Sequence, residues 1–536
     1  MKNVIWALGL FVAMTMSIWG VNALAQDGLS GAAADAELVE TRTEIPRLKA
    51  AAPFEVKDNT VVVELSEYAG YAGLIVANGG LDANENSLFF KKFGFKVKLT
   101  LSEEESWSSL NSGRIAAAAT TVDVLSAYGK QFNVVVPAQI GFSRGADGIV
   151  VRSDIKRINQ LKGKVLATAQ FTEADFFIRY LAQEAGIGVK MLPDLTAQPD
   201  AEKINLVYCA DAFGAGDLFL RDLKAGRNRL AGCVTWAPKT TEVADASEGK
   251  ATILTTNRNL LIVADILIVN KGFADAHKDM VAGLVEGLLE GNRMVRDEQA
   301  KHIPLIAKAF GWDEGETKEE LAKVHLSNLP ENIAFFNGSI DAAGSFGSIF
   351  QSAILAYGSD IIKNPGDSDR FMDISFLESL DKSGKFAGQK VGIAPIRSGN
   401  AGGVEGDPLL TKDVRFFFEP NSANLDLNSP LNKDNLEAIS KMLKVSPGST
   451  ILLRGHVDNS LVEQFRKQGG EPFVRQMSLK AMQLSKDRAN AVRKQMLATY
   501  KIDEARLESI GRGWEEPAGA DAEKNRRVEV QWFTVE

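Results

Sequence analysis

From residue 60 to residue 269, short β-branched runs alternate with segments whose apolar residues recur at helical spacing, and few architectures accept that alternation. Thr60-Val61-Val62-Val63-Glu64-Leu65 reads as a buried strand, and Ser66-Glu67-Tyr68-Ala69-Gly70-Tyr71 as the polar, Gly-containing turn that follows it. Further strands are expected at 96–101, 148–151, 164–168 and 266–269. The clearest helix between them is 173–184, which places Phe176, Phe177, Tyr180 and Leu181 on one face. Thr172 stands where an N-cap is needed and Gly186 where the helix should stop. Strand and helix in turn predict an α/β architecture with largely parallel sheets.

A chain of 536 residues exceeds one hydrophobic core and suggests about three domain-sized units or fewer. Hydrophobic residues at 45% and charged residues at 24% exclude wholesale disorder and a polytopic membrane protein. A net charge of −8 without a long Lys/Arg run offers nucleic acid no electrostatic footprint.

The N-terminus gives an address. Lys2, an uncharged and largely apolar run over 4–21 and Ala23-Leu24-Ala25 read as a secretory signal peptide, residues 1–25. An uncleaved anchor helix is the alternative, and both place the bulk of the chain outside the cytoplasm. No Cys follows the apolar run, so a lipoprotein anchor is not expected. Residues 26–57, Ala-rich and charged, suggest a flexible leader. Cys209 and Cys233 are the only cysteines and form a candidate disulfide in an oxidising compartment, two buried thiols being the alternative. Four histidines and no Cys/His cluster leave no zinc spacing, and no cofactor is expected.

Over 58–363 the landmarks are residues 66–80, Trp107-Ser108-Ser109-Leu110-Asn111-Ser112-Gly113, the segment 143–151 beginning Ser143-Arg144-Gly145, the segment 158–165, and Val234-Thr235-Trp236-Ala237-Pro238. In this order and spacing they resemble the periplasmic solute-binding proteins for nitrate, taurine and related sulfonates. The resemblance implies a two-lobed type II periplasmic-binding-protein fold closing on a small molecule. It also implies an ABC permease, or another inner-membrane partner, to which the solute is delivered.

The cleft has a physical case of its own, because loops ending at helix N-termini seat small anions. Ser66, Tyr68 and Gly70 form one such loop, Thr168 and Thr172 bound another, and Thr120, Thr121 and Asp123 end an Ala-rich strand. Ser143, Trp107 and Trp236 complete the candidate ligand set, with the aromatics as walls. At any one of these positions, capping or core packing is the alternative. Glu67 and Glu173 would repel an anion if they pointed inward, which leaves cationic, zwitterionic and neutral solutes open.

Residues 364–408 hold Asn-Pro-Gly, Lys-Ser-Gly and Ser-Gly-Asn-Ala-Gly-Gly around one short helical pattern at 371–380, and read as a linker between semi-independent units. The last unit, 409–536, has strand-like runs at 413–418 and 450–455 and a strictly alternating one at 527–533. One helix is marked by Leu436, Ile439, Met442 and Leu443, another by Leu484, Val492 and Met496. This is a smaller α+β unit, a βαβ sandwich.

Within it stand Gly455-His456-Val457-Asp458-Asn459, then Leu484-Ser485-Lys486-Asp487-Arg488-Ala489, then Asn525-Arg526-Arg527-Val528-Glu529-Val530. Together they resemble the OmpA-like peptidoglycan-binding domain. The resemblance implies that Asp458 and Arg488 grip the ends of a zwitterion, the diaminopimelate side chain of the stem peptide, Arg on its carboxylate and Asp on its ammonium. A surface ion pair is the alternative for the two. Residues 461–478 are inserted relative to the family pattern, and Ala481 stands where the family commonly has Asn. His456, Arg526 and Arg527 read as structural.

The leading expectation is a periplasmic, cell-wall-associated binding protein for a small solute. The competing one is a wall-tethered adaptor whose lobes dock a membrane partner. An enzyme is disfavoured, since no nucleophile-base-acid set or Walker-type phosphate loop is present.

Overall fold

The computed structural model describes residues 38–102, 106–340, 344–393, 408–419 and 422–534. The expected signal peptide and the start of the leader lie outside the described residues. The first lobe opens with β1 (Thr60–Leu65), β2 (Lys96–Leu101), β3 (Ala117–Thr121) and β4 (Val134–Ser143). The chain then crosses to a second lobe built on β5 (Asp147–Arg152), β6 (Val165–Ala169), β7 (Val189–Met191), β8 (Ile204–Cys209), β9 (Gly232–Trp236) and β10 (Ala251–Thr256). It returns through β11 (Ala264–Asn270) and β12 (Val324–Leu326).

The two sheets run β12-β4-β11-β3-β1-β2 and β10-β5-β9-β6-β8-β7. They are mixed rather than largely parallel. Strand-helix-strand units make β1 parallel to β2 and β3, and β6 parallel to β8 and β9, but β11 lies antiparallel to both neighbours and β5 to β9 and β10. Those strands flank the crossings, where the chain enters each sheet from the other lobe. Helices cover both faces, so β3, β4, β8 and β11 are buried along their whole length, and polar residues on them such as Gln139, Asn205, Asp265 and Asn270 are buried with the apolar ones.

Asn257 ties the two crossings together. Its side-chain oxygen accepts from Gly145 N–H at 2.8 Å, and its amide donates to the Ser143 carbonyl at 3.2 Å and to Asp147 Oδ2 at 3.0 Å. The helix Phe346–Tyr357 packs against Val122–Tyr128 of one lobe and Glu173–Glu184 of the other.

The leader expected to be flexible is, from residue 38 to residue 57, an extended strap across both lobes. Glu40 N–H donates to the Tyr208 carbonyl at 2.7 Å, and Arg42 exchanges two hydrogen bonds with Gln170, all in the second lobe. Leu48 and Pro46 then bond Gln131, and Ala52 bonds Asn111, in the first. Side-chain amides and backbone carbonyls of both lobes thereby satisfy the strap's backbone groups.

The linker expected over 364–408 also differs. Phe371, Leu377 and Phe386 are buried against the first lobe, and Met372 forms a bridge with Val136. Burial of these three side chains outweighs the freedom that Gly and Ser would otherwise give the segment. Residues 394–407 lie outside the described residues.

The C-terminal unit is a four-stranded sheet, β13 (Leu410–Val414), β14 (Thr450–Gly455), β15 (Leu507–Gly511) and β16 (Val528–Phe533), in the order β13-β16-β14-β15. The helices Pro430–Val445 and Val462–Thr499 pack on it. Its first strand starts and ends earlier than the expected 413–418, because pairing stops at Val414 opposite Val528 and Phe416 to Phe418 leave the ladder. The unit rests on the second lobe: Asn159 and Thr411 exchange two hydrogen bonds of 2.8 Å, and Ile158 N–H donates to the Leu409 carbonyl.

Both cysteines are free and buried. Strand β6 runs between their strands, with Ala169 opposite Cys209 and Ala167 in register with Cys233. Two interstrand steps of about 4.8 Å separate them, too far for a bridge. Burial pushes the Cys209 thiol up to about 12, so neither cysteine is a reactive thiolate.

Candidate functional site

Two concave sites carry the sequence candidates. The larger is a cavity of about 580 Å³ in the C-terminal unit, and both Asp458 and Arg488 line it. Asp458 follows β14, where Gly455 lets the strand touch the long helix: a Cβ on Gly455 would stand 2.0 Å from the Ser485 carbonyl oxygen. Ser485 lies one turn before Arg488, so this contact fixes how far Arg488 stands from Asp458 across the cavity.

The Arg488 guanidinium is half-buried, 5.1 Å over the Phe418 ring, and donates to the Ser422 carbonyl at 3.2 Å. Burial and then the neighbouring Arg526 lower its pKa, while Asp458 opposes them. Asp458 holds Ser460 N–H at 3.2 Å and lies 3.6 Å from Arg526 Nε. Arg526 therefore belongs to the cavity wall, a place the sequence did not give it. Arg527 lines the cavity as well, with its Nε held by Asp413 at 2.8 Å. His456 is buried with its pKa pushed down to about 4 by burial and then by Arg527.

The inserted residues build one side of this cavity. The helix breaks at Gly469 and Gly470, the latter at φ 66°, and its first arm brings Leu461 and Phe465 to the cavity, with Phe465 6.2 Å from Trp514. Ala481 lies in the wall where the family's amide would be.

The second site is the seam between the lobes. Ser66, Tyr68, Thr121, Ser143 and Trp236 meet around one void of about 20 Å³, and Ser66, Trp107, Thr120 and Trp236 around an adjoining one of about 30 Å³. The other candidates do not line it. Gly70 packs beneath the Tyr68 ring, Thr168 is buried in β6, and Thr172 donates to the Ala169 carbonyl at 2.9 Å. Asp123 is wholly buried in the first turn after Thr121, behind the void. Between Gln170 and Thr172, Phe171 holds a left-handed φ of 63°, strained backbone for an aromatic residue beside the seam.

Sequence reasoning missed most of the acids here. Asp147 and Asp265 line the first void, Glu64 the second, and Glu173 both. Asp147 lay inside a quoted landmark and Asp265 just before an expected strand, but only the closed register of β11 on β3 and β4 turns them to one place. Burial raises both, Asp147 to about 6, and Asp123 to about 7; the charge of Asp147 adds to the rise of Asp265 and of Asp123. Glu67 points away, accepting from Trp312 Nε1 at 2.6 Å.

Residues 417–531 match the family model described as the OmpA family. They are an OmpA-family domain. Outer membrane protein Omp38 from two strains of Acinetobacter baumannii is 26% identical to this chain over 124 residues, 22% of this chain. The chain spans 30% of the length of those relatives. Among solved structures, the alkanesulfonate-binding protein SsuA from Xanthomonas axonopodis pv. citri, bound to MOPS, is 14% identical. It aligns over 60% of this chain and 99% of its own with a TM-score of 0.42. The aliphatic sulphonate binding protein SsuA from Escherichia coli is 15% identical over 59% and 92%, also at 0.42. In the OmpA-family domain Asp458, on the loop after β14, and Arg488, on the helix Val462–Thr499, both line the cavity. Among the described residues no helix is long and apolar enough to cross a membrane.

Proposed function

We propose that the protein is a periplasmic solute-binding protein held to the cell wall by its OmpA-family domain. The observation that carries this reading is the shared cavity of Asp458 and Arg488: an acid and a guanidinium face one space large enough for a zwitterionic side chain. A fork of N–H donors grips the carboxylate and the Asp carboxylate takes the ammonium, while Phe418, Phe465 and Trp514 enclose the aliphatic stem. Arg526, 3.6 Å from Asp458 and also paired with Glu523, gives up Asp458 to the arriving ammonium and can turn its Nε to a second ligand oxygen.

The lobes supply the receptor. Two crossings and a void-lined seam are the parts a hinged binding protein needs, and delivery to an ABC permease is the corresponding role for the captured solute. The test of the wall reading is a pull-down of the full chain on purified sacculi. Asp458→Ala or Arg488→Ala is expected to reduce retention at least tenfold with the fold intact; unchanged retention in both variants rejects the clamp. A second reading, an adaptor that docks a membrane partner, is favoured by the strap over 38–57, which joins the lobes. Calorimetry separates the two, since an adaptor takes up no small solute.

A further inference from the structure

We propose that the seam between the lobes recognises a small organic ammonium ion and not a sulfonate or another anion. This rests on the solute-binding reading and specifies its ligand. Every ionisable side chain lining the two voids is an acid or a phenol: Glu64, Asp147, Glu173 and Asp265, with Tyr68 and Tyr71. No Lys, Arg or His lines them among the described residues. An anion entering this seam would find no cationic side chain to pair with and would meet like charge from every acid that is ionised, and like charges in contact cost several kcal/mol.

The acids alone would not make a site. Several buried polar atoms around them, however, lack hydrogen-bond partners: Asp147 Oδ1, Ser143 Oγ, Thr121 Oγ1 and Trp236 Nε1 at the first void, and both oxygens of Asp123 behind it. Their residues are all at least nine-tenths buried. Ser143 and Thr121 stand beside the Asp147 and Asp123 carboxyls and pull their pKa values down, yet neither hydroxyl reaches hydrogen-bond geometry. Such a set is costly to leave unpaired and is satisfied together by one guest with N–H donors and a positive charge.

The rest of the lining fits the same guest. Tyr68 and Tyr71 meet edge to face at 5.1 Å, and Trp236 closes the opposite side, so aromatic faces and carboxylates converge as an organic cation requires. A metal ion fits less well, because the described residues include no group of three or more Asp, Glu, His or Cys placed to ligate one. The unpaired Trp236 N–H asks for one acceptor on the ligand, such as a hydroxyl. With voids this small, the seam takes the ligand's head, and the lobes must part about 144–146 and 257–263 to admit the molecule.

Isothermal titration of the full chain with methylammonium, ethanolamine, choline, ethanesulfonate and calcium chloride tests the assignment, beside native mass spectrometry of the protein purified without refolding. Binding of at least one ammonium compound, with no heat from ethanesulfonate, is expected. Asp147→Asn should weaken that binding at least tenfold, and Trp236→Phe should weaken ethanolamine more than methylammonium, both without loss of secondary structure. Tighter binding of ethanesulfonate, a co-purified anion or neutral solute, or saturation by calcium alone overturns the ammonium assignment and leaves a receptor of another specificity. Silence to every probe together with no co-purified molecule overturns the receptor reading as well.

Discussion

Asp123 and His456 are buried ionisable groups shifted in opposite directions, so pH should move the two halves of the molecule oppositely. Asp123 rises from 3.8 to about 7 in the fold, facing Asp147, Asp175 and Asp265 and the Tyr357 hydroxyl, with Arg179 held by Asp175 at 2.7 Å. A raised folded pKa means the fold holds the proton more tightly. Its stabilising share is full below about pH 4 and is lost as pH rises through about 7. His456 falls from 6.5 to about 4, so its share is present above 6.5 and lost as pH falls through about 4. Raising the pH from about 5 to about 8 should therefore lower the melting temperature of the unliganded lobes, and lowering it from about 7 to about 4 should lower that of the OmpA-family domain. Asp123→Asn is expected to raise the lobe transition near pH 8 by a few degrees and flatten its slope, read by calorimetry. A variant as pH-sensitive as the parent contradicts the assignment.

The proposed clamp depends on how closely β14 approaches the helix Val462–Thr499. Gly455→Ala places a methyl against the Ser485 carbonyl and should cost about 1–3 kcal/mol, the usual range for overpacking. It should also weaken sacculus retention, since Arg488 moves with the helix; denaturant melts and the pull-down read the two effects separately. Elements of this kind were legible where pattern was strong. The strand 60–65, the strand 96–101, the helix 173–184 and the strand 450–455 stand with the bounds that periodicity assigned. Thr172 takes the cap position without making the cap bond, its hydroxyl turned to Ala169 instead.

What periodicity could not supply was which strands become neighbours. The pairing of Cys209 with Cys233 failed on the unread presence of β6 between them, and the acidic seam escaped because Asp147 and Asp265 are more than a hundred positions apart in sequence. The strap and the packed part of the linker were missed for a related reason. Ala, Gly and Ser signal freedom only until a neighbouring surface offers partners, and Gln131, Gln170 and Val136 do so from distant parts of the chain. Asp458 and Arg488 were singled out because three ordered motifs marked them, and both line one cavity; Arg526 had the same motif but no charge partner visible without coordinates.

For the whole molecule, the placement of the OmpA-family domain is the feature most open to test. It touches the second lobe through Asn159 and Thr411 and the crossing through a hydrogen bond from Leu261 N–H to the Val445 carbonyl at 2.9 Å. The Glu184 carboxyl, raised by burial, feels Lys412 and Lys441 of that domain. Carbodiimide, which joins carboxylates to amines in contact, should link Glu184 to Lys412 or Lys441, as read by peptide mass spectrometry. Asn159→Ala should reduce the yield severalfold, and absence of the link in the parent chain would show that the units are undocked.

Under the proposed function, that docking decides which lobe can move. A murein-bound domain seated on the second lobe would make that lobe the stationary jaw, and entry of a guest would swing the first lobe outward, carrying residues 364–393 with it. The mouth of such a receptor would keep a constant bearing toward the sacculus, with occupancy read from its free jaw alone.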